Sequence, residues 1–370
     1  MAQIKVKTKP DELCARLNAL ASQLGPGAKM PTAREMSHQY GVSPTTLQVA
    51  LGRVEAEGMI RRRHGSGIFV ADSVKAARRN IALVYNYGYM RVSNHSPFWD
   101  SLLERVQTRA AASKESFHLH CALPGPKGVI LQENLRTEIT SGALHGILGV
   151  GLDWATWKWI EAQGALFVGF AGPGTWGVQF DALSIINQGV AELARQGCQT
   201  VTLFNPPAPY EPHGDILDSM NRTALEFRTA ALEQRLEIVA EPPGLDPDLT
   251  GALGEYAELS TQEQGYRAAM ELFGGPGGPE GLVITNDLMA HGVLVALEKL
   301  GLRAGHDVKI VTHANKGSSV LAPHTGITLL EYDAAELVDT MFSTLETLMD
   351  GGFPAVPQTL IRPHLRLAAN

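Results

Sequence analysis

Two different hydrophobic patterns run along the chain, and the pattern changes near residue 80. Before that point apolar residues recur at helical spacing, as Leu47, Ala50, Leu51 and Val54 do. Beyond it, short apolar runs such as the one that begins at Ile81 alternate with helical stretches. This alternation predicts an α/β body whose parallel sheets are covered by helices on both faces.

Residues 32–56 carry the signals of two helices joined by a tight turn. Thr32 followed three residues later by Glu35 predicts a capping box, which opens a helix that runs to about Tyr40. Ser43 is a good N-cap for the next helix, because Pro44 at the first position has no N–H to leave unsatisfied. That helix turns polar side chains outward: Thr45, Thr46, Gln48 and Arg53.

Residues 60–70 predict a β-hairpin, because two strand-like runs flank Gly65-Ser66-Gly67. The hairpin carries donors for phosphate on Arg61, Arg62, Arg63 and His64. The alternative is an ordinary helical hairpin with a basic, solvated face. The order of capping box, turn, second cap and basic hairpin favours a winged helix-turn-helix, a fold that places one helix in the DNA major groove.

The same segment resembles the N-terminal domain of the GntR superfamily of bacterial transcription regulators over roughly residues 10–72. The matching stretches are 30–36, 42–46 and 65–67. Family members usually carry Arg where Pro44 stands here, and often where Gln48 stands, so the resemblance implies an unusual operator sequence. The expected DNA-binding residues are Arg34, Ser43, Thr45, Thr46, Gln48, Arg62, His64 and Gly65.

In the body, the predicted strands are separated by predicted helices. The strands are 81–85, 146–151, 166–170, 200–204, 281–285 and 308–312, and the helices include 97–112, 184–196, 219–234, 262–273 and 288–300. Residues 80–370 resemble the effector domain of the lac-repressor family, which has the two-lobed periplasmic-binding-protein fold. The resemblance lies in 81–86, 96–99, 178–181, 193–197, 284–292 and 300–311, and departs from the family at Thr312-His313-Ala314.

The two resemblances together predict the domain organisation, and a GntR branch that includes arabinose repressors joins the same two modules. We expect a winged helix at residues 1–72, a linker at 73–79 and a two-lobed effector and dimerisation domain at 80–370. Within that domain, the first lobe is predicted at about 80–180 and 327–350. The second is predicted at about 181–326 and 351–370.

The lac-repressor resemblance implies a ligand held between the lobes, at the carboxyl ends of the strands. Carboxylates, amides and aromatic faces suit a polyhydroxylated molecule, most simply a carbohydrate. Phe98 and Trp99 are alternatively core residues, Asp287 a helix cap, and His313 an ordinary loop residue. The positions that the resemblance assigns to the pocket are Asn86, Phe98, Trp99, Arg222, Asp287, His313 and Glu331.

Composition adds a charge asymmetry. Residues 1–80 contain 13 Lys and Arg against 6 Asp and Glu, whereas the remaining 290 residues contain 18 against 32. A basic head on an acidic body fits DNA binding by the head alone. Three isolated cysteines, no apolar run of membrane-spanning length and no apolar signal-peptide region predict a cytoplasmic protein without membrane contact.

The sequence therefore predicts a homodimeric DNA-binding regulator, expected to be a repressor, whose partners are duplex operator DNA and a small effector. The alternative is a GntR head fused to a pyridoxal-phosphate aminotransferase-like body, and a third reading is an architectural DNA binder without an effector. Catalytic triads, metal clusters and paired carboxylates do not rise above chance in the sequence. We accordingly predict a non-enzyme without metal or cofactor.

Overall fold

The computed structural model describes residues 9–56, 58–63, 66–71, 79–88, 96–113, 115–125, 128–206, 216–240, 259–322 and 324–368. The chain divides into two compact units, Met1–Arg79 and Asn80–Asn370. Nearly all of the predicted linker lies outside the described residues. No helix among the described residues is long and apolar enough to cross a membrane.

The described residues of the first unit form three helices and a two-stranded antiparallel hairpin. Its elements are α1 (Lys9–Leu24), α2 (Ala33–Tyr40), α3 (Pro44–Ala56), β1 (Ile60–Arg63) and β2 (Gly67–Val70). The predicted capping box is present: the Glu35 carboxylate accepts from the Thr32 backbone N–H at 2.7 Å, and the Thr32 hydroxyl accepts from the Glu35 N–H at 3.3 Å. Gly41 ends α2 in the left-handed region, with φ 63°. The helix α1 was not predicted.

The core of this unit forms where α1 packs against α3. Leu17 of α1, Met36 of α2 and Leu51 of α3 are fully buried, together with Val70 of the hairpin. Burying an aliphatic side chain of this size stabilises the fold by about 1.5–3 kcal/mol. The apolar spacing of α3 therefore fixes which face of that helix is left for solvent.

The described residues of the second unit form two sheets, and the first of them has seven strands. Its order is β14-β8-β7-β6-β3-β4-β5, parallel throughout except for the antiparallel pair β4 and β5. Four helices belong with this sheet: α4 (Phe98–Ala112), α5 (Glu133–Ser141), α6 (Trp154–Ala162) and α11 (Ala334–Met349). The strands are β3 (Asn80–Asn86), β4 (Ser116–Gly125), β5 (Gly128–Ile130), β6 (Gly146–Val150), β7 (Phe167–Phe170), β8 (Trp176–Phe180) and β14 (Gln358–Ile361).

The other sheet has six strands in the order β10-β9-β11-β12-β13-β15, with only β13 and β15 antiparallel. Its helices are α7 (Ala182–Arg195), α8 (Ile216–Gln234), α9 (Thr261–Phe273) and α10 (Asp287–Lys299). Its strands are β9 (Thr200–Phe204), β10 (Glu237–Ala240), β11 (Gly281–Ile284), β12 (Lys309–Asn315), β13 (Thr328–Tyr332) and β15 (His364–Arg366). We call the seven-stranded half the first lobe and the six-stranded half the second lobe. This architecture confirms the predicted α/β class.

Among the described residues the chain crosses between the sheets three times, and two of the crossings lie later in the chain than the predicted bounds near 327 and 351. The segment 327–350 was assigned to the first lobe, but β13 pairs with β12 in the second. The segment 351–370 was assigned to the second lobe, but β14 pairs with β8 in the first. Strand pairing is set by contacts distant in sequence, so the apolar pattern of a strand does not reveal which sheet contains it.

Helices α9 and α10 lie unusually close together because two glycines face the opposite backbone. A Cβ added to Gly292 would collide with the backbone carbonyl oxygen of Gln262. In the same way, a Cβ at Gly265 would collide with the carbonyl oxygen of Met289. The absence of two side chains therefore sets the separation of the two helices.

We predict that Gly292→Ala destabilises the second unit by about 1–3 kcal/mol, the usual cost of overpacking a tight interior. Gly275→Ala is the matched control, since a Cβ there meets nothing within 4 Å. Urea unfolding measures both, with a lower midpoint expected for the first variant and little change for the second. Equal midpoints would show that the two helices move apart without cost.

Candidate functional site

Helix α3 has one buried face and one exposed polar face. Leu47, Ala50, Leu51 and Val54 are fully buried, as the spacing predicted. The exposed face carries Thr45, Gln48, Val49 and Arg53. Val49, 48% exposed, was missed as a candidate, although an apolar group on this face has the chemistry to contact a thymine methyl.

Ser43 and Thr46 form the N-terminal cap of α3. The Ser43 hydroxyl oxygen accepts from the Thr46 backbone N–H at 3.1 Å and lies 2.8 Å from the Thr46 hydroxyl oxygen. Both hydroxyls are therefore engaged in fixing the start of the helix. Thr45 and Gln48 are left as the exposed polar side chains of its first two turns.

Arg62 on the hairpin is bonded to α3 by two side chains. Its backbone N–H and its Nε donate to the Glu55 carboxylate at 2.9 and 2.7 Å. Its Nη1 donates to the Gln48 Oε1 at 2.9 Å. The residue predicted to contact phosphate and the residue predicted to read a base are thus directly connected.

The rest of the predicted DNA surface is exposed or lies outside the described residues. Arg34 is exposed on α2. Lys29 and Arg63 both lie over the ring of Phe69, at 5.8 and 5.2 Å from its centroid. His64 and Gly65, predicted on the wing, fall outside the described residues.

In the second unit, Asn86 ends the first strand of the first lobe. Its side chain is buried, and Nδ2 donates to the Gly151 carbonyl oxygen at 2.9 Å. This bond connects the ends of two neighbouring strands, β3 and β6. Asn86 therefore has a structural role at the strand ends where a ligand was predicted.

Phe98 and Trp99 belong to the core. Each is only 7% exposed, and their ring centroids are 5.0 Å apart in an edge-on arrangement. Phe98 also contacts Phe170 and Phe180, at 6.0 and 5.5 Å. Their packing is therefore that of core residues, which was the alternative to ligand contact considered from the sequence.

An aromatic path that the sequence reading missed joins the two lobes. Phe180, the last residue of β8, stacks on Tyr332, the last residue of β13, at 4.1 Å and 14° between ring planes. Tyr332 in turn lies 5.6 Å from the ring of His313. Each stacked ring ends a strand and precedes an aspartate that caps a helix, Asp181 or Asp333. The pairs Phe180-Asp181 and Tyr332-Asp333 are visible in the sequence, and this repetition was the signal that could have identified the two stacked rings.

Asp287, His313 and Asn315 form a buried polar group at the carboxyl ends of β11 and β12. Asp287 Oδ1 accepts from the Leu288 N–H at 2.9 Å and lies 4.0 Å from His313 Nδ1. Its Oδ2 accepts from Asn315 Nδ2 at 3.0 Å. Burial lowers the pKa of His313, and Asp287 and Asn315 partly oppose that shift.

Asp287 is not the N-cap of α10. That position belongs to Asn286, whose side-chain oxygen accepts from the Met289 N–H at 3.0 Å. Asp287 is the first helical residue, where a carboxylate interacts favourably with the helix dipole. The cap alternative weighed from the sequence is therefore wrong for this residue.

Glu331 lines the same cavity as Asp287 and Asn315. Glu331 pairs with Arg366 across β13 and β15, at 3.2 Å. Arg222 is exposed on α8. Within the described part of the chain, no group of three His, Cys, Asp or Glu residues could hold a metal ion.

Two family profiles match this chain in succession. Residues 12–70 match bacterial regulatory proteins of the gntR family, and residues 190–367 match a periplasmic-binding-protein-like domain. The predicted combination of the two modules is thereby confirmed. An aminotransferase-like body has no support from these matches.

Named relatives match the chain only in part. The arabinose metabolism transcriptional repressor of Geobacillus stearothermophilus is 36% identical over 72 residues, 18% of this chain and 20% of that protein. An uncharacterized HTH-type transcriptional regulator of Bacillus subtilis, YhcF, is 35% identical over 65 residues, 18% of this chain and 52% of that protein. The chain thus spans about half or less of the length of these curated relatives, which are regulators and not enzymes.

Solved structures share the fold at low sequence identity. The lac repressor dimer bound to operator and an anti-inducer gives a TM-score of 0.57 with 16% identity, over 79% of this chain and 93% of that one. The transcriptional regulator CelR in complex with cellobiose gives 0.56 with 17% identity, over 96% of this chain and 98% of that one. These likenesses establish the two-lobed fold.

We predict that the pKa of Glu55 is held below its ordinary value by the hydrogen bonds from Arg62. The stabilisation from this pair is complete above the unfolded-state pKa of the carboxyl group and is lost as pH falls through the lowered folded-state pKa. Carboxyl NMR titration of the wild type and of Arg62→Ala measures the effect. The variant should return the pKa of Glu55 toward its ordinary value, and an unchanged pKa would contradict the pairing.

Proposed function

We propose that this chain, a gntR-type winged helix joined to a periplasmic-binding-protein-like body, is a DNA-binding transcription regulator controlled by a small ligand. The observation that carries the proposal is the exposed polar face of α3, beside a hairpin rich in arginine. A recognition helix needs polar groups for base edges, and its flanking elements need cations for phosphate. The direction of control is proposed as repression.

We propose distinct DNA contacts for α3 and the hairpin. Gln48 suits adenine, which offers a donor and an acceptor to a single amide in the major groove. Arg62 and Arg34 suit phosphate, and Thr45 suits a base edge or a phosphate. Because Gln48 accepts from Arg62, the hairpin also holds the amide in one orientation before DNA arrives. Ser43 and Thr46 serve mainly as the cap of the reading helix, with His64 and Gly65 proposed on the wing.

Gln48→Ala should relax preference at one base pair, at a cost of about 1–3 kcal/mol on the preferred duplex. Arg62→Ala should weaken binding to all duplexes and reduce the salt slope by about 1. Fluorescence anisotropy with the preferred duplex and single-base variants measures both. Arg303→Ala, which removes an exposed arginine from the second unit, is the matched control and should change neither.

The roles would be wrongly assigned if Arg62→Ala changed base preference while Gln48→Ala did not. Because the two side chains share a hydrogen bond, the double variant should fall short of the sum of the single effects.

We propose that the ligand is a carbohydrate or a similar polar molecule that binds between the lobes. The support is the convergence of Asp287 and His313 with the aromatic rings of Phe180 and Tyr332 at the strand ends. Carboxylate and imidazole groups bind hydroxyls, and the partly exposed ring of Phe180 offers a face for sugar C–H groups, while Tyr332, 1% exposed, packs behind it. Phe98 packs on Phe180 and Trp99 packs on Phe98, while Asn86, Arg222 and Glu331 remain proposed contacts. The structural neighbour CelR was solved in complex with cellobiose, which is a carbohydrate.

Asp287→Asn should abolish the effect of ligand on DNA affinity and leave DNA affinity itself unchanged. A ligand that favours one lobe arrangement by about 1–3 kcal/mol changes DNA affinity roughly 5- to 150-fold. The measurement is a DNA titration with and without a sugar found by thermal-shift screening. Ser260→Ala, which removes the cap of α9, is the control for a general loss of about 1 kcal/mol in stability. A full response in Asp287→Asn would remove this residue from the ligand site.

We propose that the chain works as a homodimer joined through the second unit and bound to an inverted repeat. The support is an unusual apolar face on α8, where Leu225 and Leu232, one heptad apart, are 65% and 78% exposed. Leu225→Glu with Leu232→Glu should give a monomer in analytical ultracentrifugation at micromolar concentration. Phe353→Glu alters an equally exposed apolar residue and should remain dimeric. A monomeric wild type at that concentration would refute the dimer.

A further inference from the structure

Helix α3 exposes an apolar side chain in the middle of its polar face. Val49 is 48% exposed and is absent from the apolar core that the described residues of the first unit form. The other apolar side chains of α3 that the structure describes are buried, namely Leu47, Ala50, Leu51 and Val54. The methyl groups of Val49 therefore face solvent within the surface proposed to read DNA.

The helix itself gives no reason for a valine at position 49. Valine is branched at Cβ, which restricts its side chain in a helix and lowers helix stability relative to alanine or lysine. The residues one turn before and after it on the same face carry polar side chains or none: Thr45, Thr46, Gly52 and Arg53. An apolar group in this setting becomes favourable when a binding partner covers it.

Gly52 keeps this part of the face open. A Cβ placed on Gly52 would lie 3.9 Å from Nη2 of Arg62, whose guanidinium group bonds to Gln48 and Glu55 on either side of this glycine along the helix. The guanidinium group thus passes close to the bare backbone at Gly52. With no side chain at that position, Val49 stays accessible to a base edge beside Gln48.

Thymine is the base whose chemistry matches an exposed valine. In the major groove thymine presents its C5-methyl group, whereas cytosine presents an amino donor and the purines present N7 acceptors. Valine can neither donate nor accept, so it would leave those polar groups without a partner. We propose that Val49 is a specificity-determining residue that packs on the 5-methyl group of a thymine, in the base pair read by Gln48 or in the next one. This inference rests on the proposed DNA-binding function and names a base that the reading helix recognises.

Replacing thymidine by deoxyuridine tests the methyl contact, because deoxyuridine lacks only the 5-methyl group. The probe is the duplex that the whole chain selects from a random pool, with each thymidine of one half-site replaced in turn. Fluorescence anisotropy should give a dissociation constant about fourfold higher at one position, the loss expected when one methyl group is no longer buried. That position should coincide with, or adjoin, the base pair at which Gln48→Ala relaxes the preference.

Variants then assign the contact to Val49. Val49→Ala removes the branched methyl groups and should bind the thymidine and deoxyuridine duplexes with nearly equal affinity. Alanine favours a helix more than valine does, so this variant should keep its melting temperature. Val49→Ile retains a branched apolar side chain and should keep the full difference between the duplexes. Val295→Ala, the matched control, shortens a valine of α10 that is 41% exposed and should keep the full difference as well.

Equal affinity of the wild type for all the deoxyuridine duplexes would overturn the role of Val49, and so would a loss that persists in Val49→Ala. In either case, a base preference that Gln48→Ala still relaxes would leave the proposed DNA-binding function standing. A chain without any base preference would contradict both.

Discussion

The second unit depends on one cluster of contacts at the points where the chain crosses between its two sheets. The Tyr332 hydroxyl donates to the Asp181 carbonyl oxygen at 2.6 Å, and the Asp181 N–H donates to the Ile361 carbonyl oxygen at 2.8 Å. Phe180 stacks on the Tyr332 ring beside these bonds. The three crossings are therefore tied to each other within a few residues. Burial raises the pKa of Tyr332, which keeps its hydroxyl a donor.

The winged helix was predictable because its signals are local. Thr32 and Glu35 meet within one turn of helix, and Ser43 caps the helix that starts at the next residue, so the sequence alone contains the interaction. The bond between Arg62 and Gln48 was not predictable, because it joins side chains fourteen positions apart across a turn. The proposed phosphate contact and the proposed base contact are therefore joined by a direct hydrogen bond.

In the body, helices were predicted to within a few residues, such as 288–300 against Asp287–Lys299, because their amphipathic spacing repeats over many turns. The strands β4 and β14 were missed or misassigned, since short strands take their position from partners far along the chain. Among the site residues, Asp287 and His313 do lie together, whereas the role of Tyr332 was overlooked. Its importance follows from a stack with Phe180, 152 positions earlier, which no local pattern encodes.

The central claim is that the exposed face of α3 reads DNA, with two copies of the chain on one duplex. The most direct test is selection of bound duplexes from a random pool by the whole chain, followed by sequencing. The account predicts enrichment of an inverted repeat whose half-sites lie about one helical turn, or a multiple of it, apart. A pool that remains unenriched after selection would contradict sequence reading by α3, and enrichment of a single unrepeated site would contradict the paired arrangement.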